Sequence, residues 1–129
     1  MTTETLILLL LFVLSLVYYF LPSFWIAKVN DLTELAGARD HVTAVENIVG
    51  QRAARASANF KETLPWAIAL LILVQVTGDA NGTTALGGWL YLICRVLYIP
   101  AYLSGVAYAR SVIWGLSMTG LIMIAWQLL

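Results

Sequence analysis

From Thr5 to Ala27 the chain carries no charged residue. A bilayer's hydrocarbon core is roughly 30 Å thick, and a helix rising about 1.5 Å per residue needs about 20 apolar residues to cross it. A run of this length reads as a transmembrane helix rather than as the core of a soluble domain. Tyr18, Tyr19 and Trp25 gather toward one end, where aromatic side chains suit a membrane interface, and Pro22 is placed to kink the helix. Glu4 is the only charge before the run. The segment therefore lacks the basic stretch and small-residue cleavage site of a secretory signal, and the first helix is expected to be retained.

The rest of the chain alternates between polar and apolar in a way that predicts three more spans. Lys28, Asp31, Glu34, Arg39, Asp40, His41 and Glu46 make residues 28–50 a polar loop. Residues 51–77 read as one long helix, cleanly apolar from Thr63 onward, whose alanine-rich first turns emerge from the lipid around Arg52, Arg55, Asn59, Lys61 and Glu62. Gly78 to Thr84 is a turn by residue type, followed by a third helix over about 85–108 and a fourth over about 111–128. The expected fold is an all-α membrane protein, a four-transmembrane-helix bundle forming one domain over 1–129. Composition agrees, with 61% hydrophobic residues, 11% charged residues and a mean hydropathy of +0.87. Seven Lys plus Arg balance seven Asp plus Glu, so no net field recruits nucleic acid. This threading puts Lys28, Arg39, Arg52, Arg55 and Arg110 on one side, which predicts a cytoplasmic first loop and Arg110 turn, with both termini opposite. The economy of the loops suits a bacterial inner membrane.

Charges inside such helices are the informative residues, because each costs at least ~2.5 kcal/mol in a bilayer unless it faces protein or a polar cavity. Arg52, Arg55, Asn59 and Glu62 recur at i, i+3, i+7 and i+10, so they share one stripe of helix two. Arg95, Tyr98 and Tyr102 do the same on helix three. Arg95 lies deep in its apolar segment and requires a partner, for which Glu62 is the natural candidate. A structural ion pair is as good an account of those two as a ligand role. Arg52, Arg55 and Arg110 then remain over, with Asn59, Tyr98 and Tyr102 as hydrogen-bonding groups. Arginine's planar fork binds carboxylates and phosphates bidentately and stays charged, so this surplus fits an anionic ligand or a phospholipid head group. His41 is the only histidine and Cys94 the only cysteine, which leaves no metal site; Cys94 reads as a packing residue.

The stretch Arg52-x-x-Arg55-Ala56-x-x-Asn59-x-x-Glu62-x-x-Pro65, followed by Arg95-x-x-Tyr98-x-x-x-Tyr102 and then Arg110-Ser111, resembles the MAPEG family. These are the membrane-associated proteins in eicosanoid and glutathione metabolism. The resemblance implies a four-helix bundle assembling as a homotrimer, with glutathione bound between adjacent subunits near the cytoplasmic side. By matching position, Arg55, Asn59 and Glu62, with Tyr98 and Tyr102, are similar to the family's glutathione-binding residues. Arg110, beside Ser111, is similar to the arginine that stabilises the glutathione thiolate, and Arg95 to a helix-three arginine. The pattern departs at Ser57 and Ala58, where other members carry polar or basic residues.

Three functions follow as expectations. The first is a glutathione-dependent membrane transferase or peroxidase acting on hydrophobic electrophiles or lipid hydroperoxides, with Arg110 as the catalytic residue and Arg52, Arg55, Asn59, Glu62, Arg95, Tyr98, Tyr102 and Ser111 as the binding set. The second is a non-catalytic scaffold that binds lipid or anions through the same stripe and has copies of itself and membrane lipids as partners. The third, a small multidrug transporter, fits poorly, because such proteins resemble one another in a glutamate within the first helix, and helix one here is uncharged.

Overall fold

The computed structural model describes all 129 residues. Six helices follow in order: α1 (Thr3–Phe20), α2 (Ser23–Val29), α3 (Leu32–Ala36), α4 (Ile48–Thr77), α5 (Gly82–Ser104) and α6 (Ala109–Gln127). There is no strand. Four spans are long and apolar enough to cross a membrane, the first being α1 and α2 taken together as Thr3–Val29. The protein is an integral, multi-pass, all-helical membrane protein.

Local chemistry explains where the helices stop. Thr2 caps α1, its side chain accepting from the Thr5 N–H. Pro22 does more than kink the first span, since the helix breaks at Leu21–Pro22 and restarts at Ser23. The segment expected to be loop over 28–50 contains the end of α2 and the short α3. In front of α3, the Thr33 hydroxyl donates to the exposed Asp31 carboxylate at 2.6 Å, which holds that carboxyl below its usual range. Helix α4 starts at Ile48, three residues before the expected boundary, because Asn47 accepts from the backbone of Val49 and Gly50. It ends at Gly78, whose φ of 80° is the left-handed cap that glycine supplies without strain. Asn81 and Thr84 form a reciprocal capping box, so α5 begins at Gly82 rather than at 85. It ends at Ser104, not 108, because Gly105 turns left-handed at φ 70°. Tyr108, also left-handed at φ 66°, leads directly into α6.

The bundle is held by close packing more than by escape from water, since lipid is as apolar as leucine. Ile7, Leu11, Leu14 and Tyr18 form one buried stripe of α1 against Ala56, Phe60, Ala67, Leu71 and Val74 of α4. Tyr18 stacks on Phe60, with ring centroids 4.1 Å apart, and donates to the Arg95 carbonyl at 2.7 Å, tying α1 to both α4 and α5. Helices α5 and α6 come into close backbone contact at Gly87 and Gly120, where a Cβ on Gly87 would stand 2.6 Å from the Gly120 carbonyl oxygen. Leu9, Phe12, Val13 and Leu16 point outward, as a lipid-facing surface requires.

Candidate functional site

The up-and-down threading brings the start of α4 beside the turn from α5 to α6. Arg52 lies flat against Gly105, where a Cβ would come within 2.5 Å of its Cζ, and its Nη1 donates to the Leu103 carbonyl at 3.2 Å. One arginine of the stripe thus closes the end of α5, where the helix leaves carbonyls without partners. Around it opens a cavity of about 450 Å³, whose polar wall is Arg52, Arg55, Tyr102, Tyr108, Arg110 and Ser111. A second cavity of about 560 Å³ adjoins it, lined by Asn59, Tyr98, Tyr102, Arg110, Ser111, Trp114 and Gly115. Tyr102, Arg110 and Ser111 belong to both. No aspartate or glutamate lines either one.

A pair of wall tyrosines is flanked by two arginines, Arg110 in the wall and Arg95 behind it. The Arg110 Cζ lies 5.2 Å from the Tyr102 ring centroid, Tyr102 meets Tyr98 edge to face at 5.3 Å, and the Arg95 Cζ lies 5.4 Å from the Tyr98 ring. These are cation–π and aromatic contacts of ordinary range. They link Arg110, which lines both cavities, to Arg95 in the interior of the bundle. Seven of the nine residues expected at the site therefore converge: Arg52, Arg55, Asn59, Tyr98, Tyr102, Arg110 and Ser111.

Arg95 and Glu62 do not join them. Arg95 is fully buried and lines neither cavity. The expected Arg95–Glu62 pair is absent: Arg95 Nη1 donates to Asn59 Oδ1 at 2.9 Å and Nη2 to Thr63 Oγ1 at 2.8 Å, while Nε has no partner. Glu62 is exposed on the outer edge of α4. At about 100° per residue, Thr63 lies about 40° to one side of Asn59 on the helical wheel and Glu62 about 60° to the other. Arg95 approaches from the Thr63 side. Thr63 was legible as the i+4 neighbour of Asn59, but a hydroxyl attracts less notice than a carboxylate as a partner for a guanidinium. Trp114 and Tyr108 carried no signal in sequence beyond being aromatic residues near Arg110.

A model of the MAPEG family matches residues 7–129. The chain belongs to the MAPEG family. No curated protein and no solved structure matches it significantly. MAPEG membership puts this four-helix bundle among membrane proteins of glutathione-related transferase and peroxidase type. The match runs through α4, α5 and the start of α6, the elements that carry the MAPEG motif residues and wall the two cavities.

Proposed function

We propose that this MAPEG protein is a glutathione-dependent membrane transferase or peroxidase whose site is the joined pair of cavities. The observation that carries the reading is the composition of their walls: three arginines, an asparagine, three tyrosines and a serine, with no carboxylate among them. Glutathione bears two carboxylates, and both volumes fall in the range of small-molecule sites. Arg55 offers an unengaged fork, and Arg52 keeps donors beyond the one bound to Leu103. Bound there, glutathione would supply a thiol as the nucleophile. Arg110, at the junction of the cavities, would favour loss of the thiol proton by placing a permanent positive charge beside the sulfur. Trp114 and Gly115 line the second cavity beyond Arg110, which suits an apolar electrophile or hydroperoxide arriving from lipid.

The same reading includes a homotrimer. Arg55 and Glu62 are exposed along one edge of a membrane-spanning helix, and charges in that position call for protein rather than lipid on their far side. Glu62 would meet the ligand only across such a subunit boundary. The cavity end carries Lys28, Arg39, Arg52, Arg55 and Arg110, which favours a cytoplasmic position for it, in a bacterial inner membrane.

Titration calorimetry of the detergent-purified protein with glutathione tests the proposal. Saturable binding that weakens with added salt is expected, followed by turnover of a halogenated nitrobenzene or an organic hydroperoxide. A folded oligomer that binds no glutathione would overturn it, and co-purified phospholipid in the same cavities would favour the lipid-binding alternative.

A further inference from the structure

Arg95 is a fully buried guanidinium with no carboxylate within ion-pair distance, and it spends two of its N–H groups on Asn59 and Thr63. That choice has a geometric result at the cavity. A guanidinium has only donors, so the atom of Asn59 that faces it must be the carbonyl Oδ1. The two ends of an amide are otherwise hard to tell apart, but here one of them is dictated. With Oδ1 held inward by Arg95, the amide nitrogen of Asn59, a residue that lines the second cavity, is the end left for that space.

The arrangement is braced from behind. Thr63 Oγ1 sits 2.8 Å from Arg95 Nη2, 3.0 Å from the Tyr91 hydroxyl and 3.4 Å from the Phe60 carbonyl. Thr63 can therefore accept from Arg95 and Tyr91 while donating to Phe60, which satisfies all three. Tyr91 and Thr63 are both buried, and the Arg95 Cζ rests 5.3 Å from the Tyr91 ring. The guanidinium has little freedom to release Asn59.

We infer that Arg95 is a positioning residue which locks the Asn59 side chain so that it presents hydrogen-bond donors, and no acceptor, to the ligand cavity. The inference rests on the proposed glutathione site and sharpens its specificity. The group that meets Asn59 is an acceptor, a carboxylate or carbonyl oxygen, and an ammonium is turned away from that position. Arg95 contributes to ligand selection without touching the ligand.

Asn59→Asp separates this role from a purely structural one because it moves two readouts in opposite directions. A carboxylate at position 59 gives the buried guanidinium the counter-charge it lacks, so the midpoint of thermal unfolding in detergent should rise. The same change replaces donors by an anionic acceptor in the cavity, so glutathione affinity should fall by about tenfold or more. In an Arg95→Gln background the thermal gain from Asn59→Asp should vanish. Unchanged or tighter glutathione binding by Asn59→Asp would overturn the inference, as would a lower unfolding midpoint. Failure of the unsubstituted protein to bind glutathione would defeat the proposed function instead, and the ligand-free melting comparison with and without Arg95→Gln would then decide the locking of Asn59 by itself.

Discussion

At the end of the bundle where α1 starts and α4 finishes, polar side chains answer one another within the chain. Glu4, almost fully buried, accepts from the Thr84 hydroxyl at 2.7 Å and from the Gln75 amide at 3.4 Å; Thr2 donates to Gln75, and Asn81 to Gln127. All four spans are fastened there by their own residues. At the opposite end, Arg55 and Arg110 have no hydrogen-bond partner in the chain and border open cavities, and Glu62 stands exposed nearby in sequence. Both ends are polar, but only one is complete. The contrast separates polarity that closes a fold from polarity that waits for something else, and it is a better guide to function than the number of charges at either end.

The largest effect should come from the incomplete end. Arg110→Ala is expected to reduce turnover about 10²- to 10³-fold, the usual loss when a preorganised electrostatic group is removed, while the unfolding midpoint stays near that of the parent. Steady-state rates with glutathione and a hydrophobic electrophile measure this, and an unaltered rate would take Arg110 out of the mechanism. Glu4→Ala should do the reverse. Removing a buried carboxylate that accepts from two side chains should lower stability by about 1–3 kcal/mol and leave glutathione affinity as it was. If affinity fell together with stability, the two ends would be coupled and the contrast between them would not hold. Gly105→Ala lies between these cases. A side chain at φ 70° is strained by about 1–2 kcal/mol, and the added methyl would push Arg52 off the Leu103 carbonyl. A modest stability loss with a few-fold weaker affinity is expected, and stability loss alone would make Arg52 structural only.

Much of the scaffold was readable from the order of residues. An uncharged run long enough to cross a bilayer has few alternatives, and the turn around Asn81 announced itself by residue type. The helix ends were less legible, because caps such as Asn47 and Thr2 work through one side-chain oxygen that composition does not reveal. The expectation of an uncharged first helix fails for a related reason: α1 includes Glu4, which precedes the apolar run in sequence and becomes interior only when Thr84 and Gln75 arrive from other helices. At the site, spacing along α4 put Arg52, Arg55 and Asn59 on one stripe, and the structure sets them along two adjoining cavities. Spacing could not show which side of that stripe would face Arg95, and charge complementarity alone pointed to Glu62. The packed geometry selected neutral oxygens instead.

The contact between Gly87 and Gly120 bears on mechanics as well as on packing. It pins α5 to α6 near the end remote from the cavities, and Tyr102 lies roughly 22 Å farther along α5 at the ordinary helical rise. Because the turn Gly105–Tyr108 joins the two helices at the cavity end, they form tweezers with that turn as the fulcrum and the two glycines as the tips. A methyl group at either glycine would part the tips and tilt one arm against the other, with a displacement that shrinks toward the turn, so the spacing between Tyr98–Tyr102 and Arg110–Trp114 is governed mainly by four residues of turn and only secondarily by the two glycines.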